Sequence, residues 1–306
     1  VTRTPIVVGI DGSFAASDAV RWAADEAIRR HRPLHIVSAA LLSPGTFADG
    51  INLRTGIFGE QERHTRRCLA VAAELARDTA AGAPLTVDTI LGHGSAADVL
   101  IQHSADADMV VVGSRGLGEF TGAVLGSVGT PLAAHAQCPV VIVKKAPAAD
   151  RPATIGPIVV GVDGTANSEP AVRWAFDEAS RRDTDVVAVH AWSDADVSAV
   201  AALTHAFPSP DNLQVAEEAT LAECLAGYRE SHPGVHVRRV VVHDNPAREL
   251  IREAQDALMI VTGSRGRGGF SALLLGSTSR TVIHRARVTV VIVPTGRSTA
   301  RRDAHH

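Results

Sequence analysis

Met109-Val-Val-Val112, an apolar run without polar alternation, leads directly into Gly113-Ser-Arg-Gly116, nine further residues, and then Gly126-Ser127. The run reads as a buried strand, the glycines as a loop at its end, and the segment from Ser127 to Ala136 as a helix. Glycines at a strand end let main-chain amides approach a bound group with no Cβ in the way. A Gly-Ser pair opening a helix offers unpaired N–H groups and the positive end of the helix dipole to an anion. Strand, loop and helix start together make a phosphate cradle.

The pattern returns at Met259-Ile-Val-Thr262, Gly263-Ser-Arg-Gly266, nine residues and Gly276-Ser277. It belongs to a duplication of the whole chain. Val7-Val-Gly-Ile-Asp11-Gly12-Ser13 matches Val159-Val-Gly-Val-Asp163-Gly164-Thr165, and Ala19-Val-Arg-Trp22 matches Ala171-Val-Arg-Trp174. Each half closes on a β-branched run, Val140–Val143 and Val290–Val293. The Pro/Ala-rich stretch from Lys144 to Pro157 reads as a linker between domains at residues 1–146 and 155–296.

In the first half, strands are expected at Ile6–Ile10, Leu34–Ala39, Leu85–Ile90, Met109–Val112 and Val140–Val143. Helical patterns fall at Ala16–Arg30, Glu60–Ala81, Ser95–Ser104 and Ser127–Ala136. The second half repeats this, with strands at Ile158–Val162, Val186–Ala191, Val235–Val240, Leu258–Thr262 and Val290–Val293. Its helices are expected at Glu169–Arg182, Gln214–Ser231, Pro246–Glu253 and Ser277–Arg285. Strand and helix alternate, and the strands are apolar on both faces. That gives two tandem, doubly wound α/β domains with parallel sheets. Leu41–Gly59 and Ser193–Leu213 are long and weakly patterned, as lids or disordered loops are, and both follow a second strand.

Of 306 residues, 30 are Lys or Arg and 33 Asp or Glu, interspersed, so no basic face points to nucleic acid or a membrane surface. No apolar segment of membrane-spanning length occurs, and with a strand starting soon after Val1 no leader is expected. Cys68, Cys138 and Cys224 form no metal-like pair and read as small buried hydrophobes of a reduced, cytoplasmic protein. The histidines share no ligand spacing, and no Gly-x-Ser-x-Gly elbow supports hydrolase chemistry.

In an open parallel sheet, ligands bind beyond the carboxyl ends of the strands, where the strand order reverses. Asp11 and Asp163 end the first strands and the glycine loops end the fourth, so carboxylate and cradle face each other across a crevice. A carboxylate there suits ribose hydroxyls or a Mg²⁺ shared with phosphates, and it equally suits an Asp-Gly turn or helix cap. Its return in both halves favours the ligand role. The loop lacks Gly-Lys-Ser/Thr and follows the fourth strand, so it is neither a Walker-type P-loop nor a dinucleotide fingerprint.

The Gly-x2-Gly-x9-Gly-Ser spacing, the Val-Gly-Ile/Val-Asp-Gly opening and the closing Val-Val-Ile-Val strand resemble the universal stress protein family. The likeness is to the tandem form of its ATP-binding class, common in mycobacteria and related actinobacteria. It covers about residues 5–144 and 157–294. It implies a five-stranded parallel sheet of order 3-2-1-4-5 in each domain, the adenine nucleotide alpha hydrolase-like arrangement. It also implies one ATP per domain, with Mg²⁺, and a cytoplasmic role in stress regulation.

The resemblance places nucleotide contacts at Val112, Gly113, Ser114, Arg115, Gly116, Gly126, Ser127 and Val128, with the triphosphate at Gly113, Gly116, Gly126 and Ser127. In the second half they fall on Thr262, Gly263, Ser264, Arg265, Gly266, Gly276, Ser277 and Thr278. Asp11 and Asp163 would hold ribose or the metal. Backbone at Ala39 and Ala191, beside Gly9 and Gly161, would face adenine, and Asp194 would reach its amino group in the second site. Arg265 and Arg267, against Arg115 and Glu119 in the first loop, predict triphosphate binding tighter in the second half by about 1 kcal/mol.

Pairing of Val140–Val143 with Val290–Val293 would cap two edge strands in a pseudo-dimer, leaving room for a homodimer of whole chains and a regulatory protein partner. No repeated base accompanies the cradles, since Glu119 in one loop is Gly269 in the other. A nucleotide-dependent regulator with little or no turnover is therefore expected. A slow ATPase or phosphotransferase and a nucleotide-free scaffold are the alternative readings.

Overall fold

The computed structural model describes residues 3–40, 54–114, 128–144, 156–192, 210–267 and 275–295. The chain divides into two compact units, Val1–Lys145 and Ala146–His306. The first holds β1 (Ile6–Gly9), α1 (Phe14–Arg30), β2 (Leu34–Ala40), α2 (Arg54–Ala80), β3 (Val87–His93), α3 (Ala96–His103), β4 (Met109–Gly113), α4 (Gly129–His135) and β5 (Val140–Val143). All its strand pairs are parallel, in the order β3-β2-β1-β4-β5.

The second unit repeats the plan with β6 (Ile158–Gly161), α5 (Glu169–Arg182), β7 (Val186–Trp192), α6 (Pro210–Cys224), α7 (Tyr228–Ser231), β8 (Val237–His243), α8 (Pro246–Glu253), β9 (Met259–Gly263), α9 (Ser277–Arg285) and β10 (Thr289–Val293). Its sheet is parallel in the order β8-β7-β6-β9-β10. Both are the 3-2-1-4-5 arrangement. The central strands are apolar on both faces because helices cover both, and Ile6, Val8, Val110, Ile158, Val160 and Ile260 are fully buried.

Several boundaries differ from the sequence reading; α2 and α6 start at Arg54 and Pro210, inside segments expected to be loops. Strands β3 and β8 start at Val87 and Val237 and run on to His93 and His243. The ladder with the second strand decides this, pairing Leu34 with Val87 and Ala40 with His93. Apolar Leu85 and Val235 therefore fall in the connection before the strand. The helix expected over Gln214–Ser231 is broken, because Gly227 takes a left-handed φ of 81° between α6 and α7. The cysteines also divide: Cys138 is buried, whereas Cys68 and Cys224 are half-buried on helices that flank the loops after β1 and β6.

A buried charge network ties α1 to β4. Arg30 pairs with Glu26 one turn earlier and donates to Asp108 Oδ2 at 3.0 Å, with side-chain exposures of 8%, 1% and 8% for Arg30, Glu26 and Asp108. Buried ion pairs contribute little net stability, but losing one partner strands the other. Arg30→Met is expected to destabilise the first unit by about 3 kcal/mol, the low end of such losses because Arg29 and Arg32 also face these carboxylates. Urea unfolding of the full chain would show this as an earlier transition; a loss below about 1 kcal/mol would contradict it.

Candidate functional site

In each unit the first and fourth strands are neighbours, and right-handed crossovers leading in opposite directions along the strand order take the chain from them to opposite sides of the sheet. Their carboxyl ends therefore open a crevice. On one wall, Ile10 N–H donates to Val37 O at 2.9 Å, and Val162 N–H donates to Val189 O at 2.9 Å. Main-chain groups alternate sides along a strand. Two residues on, Ala39 and Ala191 thus turn their N–H and C=O toward the same edge, past the point where β1 and β6 have ended.

The strand-end glycines are there for packing. A Cβ at Gly113 would lie 2.5 Å from Ala15 O, and one at Gly263 would lie 3.0 Å from Asn167 O. The start of α1 or α5 crosses the end of β4 or β9 at that point. Gly9 and Gly161 turn toward Leu100 and Leu250, whose Cδ1 atoms would be 2.6 and 3.3 Å from an added Cβ. Val112 and Thr262 are buried within their strands. The Ser114 and Ser264 amides, expected to meet phosphate, donate instead to Val143 O at 3.0 Å and Val293 O at 2.8 Å. The sheet ladder extends one residue further than the sequence pattern indicates and takes those donors.

The open part of the second loop begins at Gly266. Among the described residues its added Cβ would meet only Asp163 Oδ2, at 3.3 Å. Arg265 is exposed. Gly276 donates its amide to Ser264 O at 2.8 Å and is the N-cap of α9, with no side chain capping the helix. Ser277 and Thr278 head that helix, where N–H groups have no intrahelical acceptor. In the first unit Val128 precedes α4, and its carbonyl accepts from Leu132 N at 3.0 Å. Arg115, Gly116, Gly126, Ser127 and Asp194 lie outside the described residues.

Both predicted aspartates serve a turn with one oxygen. Asp11 Oδ1 accepts from Ser13 N at 3.0 Å; Asp163 Oδ1 accepts from Thr165 N at 2.8 Å and Thr165 Oγ1 at 2.7 Å. The other oxygen of Asp163 is buried and has no hydrogen-bond partner among the described residues. A buried carboxylate oxygen without a donor is costly and marks a place for a hydroxyl or a cation. No group of three His, Cys, Asp or Glu among the described residues is arranged to hold a metal. The donor set thus fits a cation only when a ligand supplies further oxygens, as Mg²⁺ bound to phosphates requires.

Arg267 is not available to phosphate as the sequence suggested. Its Nε donates to the carbonyl of Asp163, and its Nη2 lies 3.0 Å from His190 Nε2 and 3.1 Å from Glu217 Oε2. Glu217 Oε2 lies 2.6 Å from His190 Nε2, and His190 Nδ1 lies 2.7 Å from Val162 O. Burial raises the Glu217 carboxyl, but hydrogen bonds with His190 and Arg267 outweigh it and hold the group below its usual range. The sequence reading missed His190 and Glu217. The available signal was a lone polar residue, His190, inside the apolar run Val186–Trp192.

Beside this crevice, a cleft of about 590 Å³ lies between the start of α5 and the α6–α7 break, lined by Thr165, Glu169, Cys224 and Tyr228 among others. No helix among the described residues is long and apolar enough to cross a membrane.

The universal stress protein family model matches residues 2–144 and 154–294. Universal stress protein Rv2623 of Mycobacterium tuberculosis is 41% identical over 288 residues, covering 94% of this chain and 95% of that protein. Universal stress protein Rv2005c of the same organism is 39% identical over 291 residues, covering 94% and 96%. Among solved structures, a universal stress protein from Archaeoglobus fulgidus shares the fold with a TM-score of 0.66 at 19% identity, over 96% of this chain and 98% of that one.

Because Glu217 is held below its unfolded pKa, its contribution to stability is complete above about pH 4.3 and is lost as pH falls through the lowered value. Glu217→Gln should therefore cost the second unit about 1–3 kcal/mol at neutral pH. Urea unfolding at a series of pH values would show the gap closing below the ordinary carboxylate range; a gap independent of pH would contradict the assignment.

Proposed function

Because this chain belongs to the universal stress protein family through both of its halves, we propose that each unit binds ATP with Mg²⁺ in its crevice. The protein then acts as a nucleotide-dependent regulator and not as a metabolic catalyst. The observation that carries the reading is Asp163 Oδ2, buried without a donor among the described residues and facing Gly266 across the crevice. A ribose hydroxyl or a phosphate-bound Mg²⁺ satisfies that oxygen. Ala191 and Ala39 offer main-chain groups to the base, and the α9 start, at Ser277 and Thr278, offers amides and its dipole to phosphate. When bound, Mg²⁺ neutralises triphosphate charge; the protein's part is to hold the sugar, base and phosphates in one orientation.

The state of the carboxylates supports regulation without turnover. Asp163 serves Thr165, and Glu217 is engaged by His190 and Arg267. Occupancy of a site framed by α5, α6 and the glycine loop would bias those elements and so control a partner protein or a homodimer of whole chains in the cytoplasm.

Mass spectrometry of freshly purified, denatured protein should release ATP. Asp11→Asn and Asp163→Asn keep a turn-accepting oxygen but remove the charge, and each should weaken ATP binding in its own unit about tenfold, or 1.4 kcal/mol. Absence of copurified nucleotide together with no ATP affinity at millimolar concentration would overturn the reading. Steady phosphate release abolished in the double variant would replace the regulator with an enzyme.

A further inference from the structure

The two halves differ in charge at three matching sequence positions. Aligning the halves puts Ser38 opposite His190, Thr65 opposite Glu217 and Leu117 opposite Arg267. The helix alignment is fixed by Cys68 and Thr220, which face the same glycine position, Gly12 and Gly164. Three positions distant in sequence thus change together, from Ser, Thr and Leu in the first unit to a set holding a carboxylate and a guanidinium in the second. The anchor is common: Ser38 Oγ donates to Ile10 O at 2.9 Å, and His190 Nδ1 lies 2.7 Å from the matching Val162 O. Thr65 gives its hydroxyl to Gln61 O of its own helix at 2.9 Å, whereas Glu217 reaches across to His190.

The position of the Arg267 guanidinium gives the exchange its consequence. Nη2 would lie 2.9 Å from a Cβ added at Gly164, and Nε is bonded to the Asp163 carbonyl. The group therefore lies over the Asp163–Gly164 turn, between the ends of β6 and β9. That is the part of the crevice that a base or sugar must enter to reach Asp163 and Ala191. Its fork is already bonded to a carbonyl and a carboxylate, beside the His190 ring, so it faces inward as an occupant.

We propose that Arg267, held by Glu217 and His190, is an internal competitor for the second crevice. Nucleotide enters there only by displacing an ion-paired side chain, while the first unit, with Ser38, Thr65 and Leu117, binds directly. This rests on the nucleotide reading of both crevices, and it reverses the expectation that the second arginine pair tightens that site. Displacement is costly because Glu217, beside the fully buried His190, loses its cationic partner. The two halves become a tight and a weak site, so a single chain responds over two ranges of nucleotide concentration.

The test is calorimetric titration of the full chain with ATP and Mg²⁺. Gly126→Glu is used to silence the first cradle, so that heat reports the second. In that background Arg267→Leu, which installs the first unit's residue, should tighten binding at least tenfold. The set His190→Ser, Glu217→Thr and Arg267→Leu should bring the second site within a few-fold of the first, measured separately in Gly276→Glu. Arg267→Gln serves as a second single variant should the triple substitution fail to fold, and it should also tighten binding. Weakened or unchanged binding in the Arg267 variants, with the first site still binding, would overturn the competitor and leave the nucleotide reading standing. No binding at either site in any of these proteins would overturn both.

Discussion

The structure depends on one close approach, made twice. At Gly113 the start of α1 lies so near the end of β4 that a Cβ would sit 2.5 Å from the Ala15 carbonyl, and Gly263 meets Asn167 at 3.0 Å in the same way. That crossing brings the loop after the first strand beside the loop after the fourth. Asp163 and Gly266 can face each other only because the backbone between them passes this closely. A larger residue at the strand end would push the helix off the sheet and separate the two sides of the crevice.

What the crossing creates is a small polar space at the edge of an apolar sheet. Burial of one Asp163 oxygen without a donor among the described residues is a cost that the fold bears at this point, and functional sites are where such costs concentrate. The second unit partly fills its space with its own cation, and the first puts neutral side chains at the matching sequence positions. Duplication thus conserved the frame and left the charge inside it free to diverge.

Much of the fold was legible because it follows from patterns that secondary structure enforces locally. Apolar runs such as Val110–Val112 and Val159–Val160 admit only a strand covered on both faces, and the strand–helix alternation forces parallel pairing. Boundaries at the sheet edge were less legible, since β3 and β8 are placed by their register with β2 and β7 and not by their own composition. In the site, the aspartates and the glycine loop could be read from their repetition. The use of the Ser114 and Ser264 amides could not, because it depends on how far the ladder with β5 and β10 extends. Nor could the partners of Arg267: Glu217 lies fifty residues away on a helix that follows a long segment without pattern, and only folding brings the two together.

The central claim is that a ligand oxygen or its metal completes the Asp163 carboxylate in a crevice that Arg267 otherwise enters. A crystal structure of the full chain with ATP and Mg²⁺ tests this most directly. The account predicts a ribose hydroxyl or the metal at Asp163 Oδ2, with the Arg267 guanidinium moved off Glu217 and His190. Nucleotide bound elsewhere on the unit, or bound with Arg267 still joined to both partners, would contradict it.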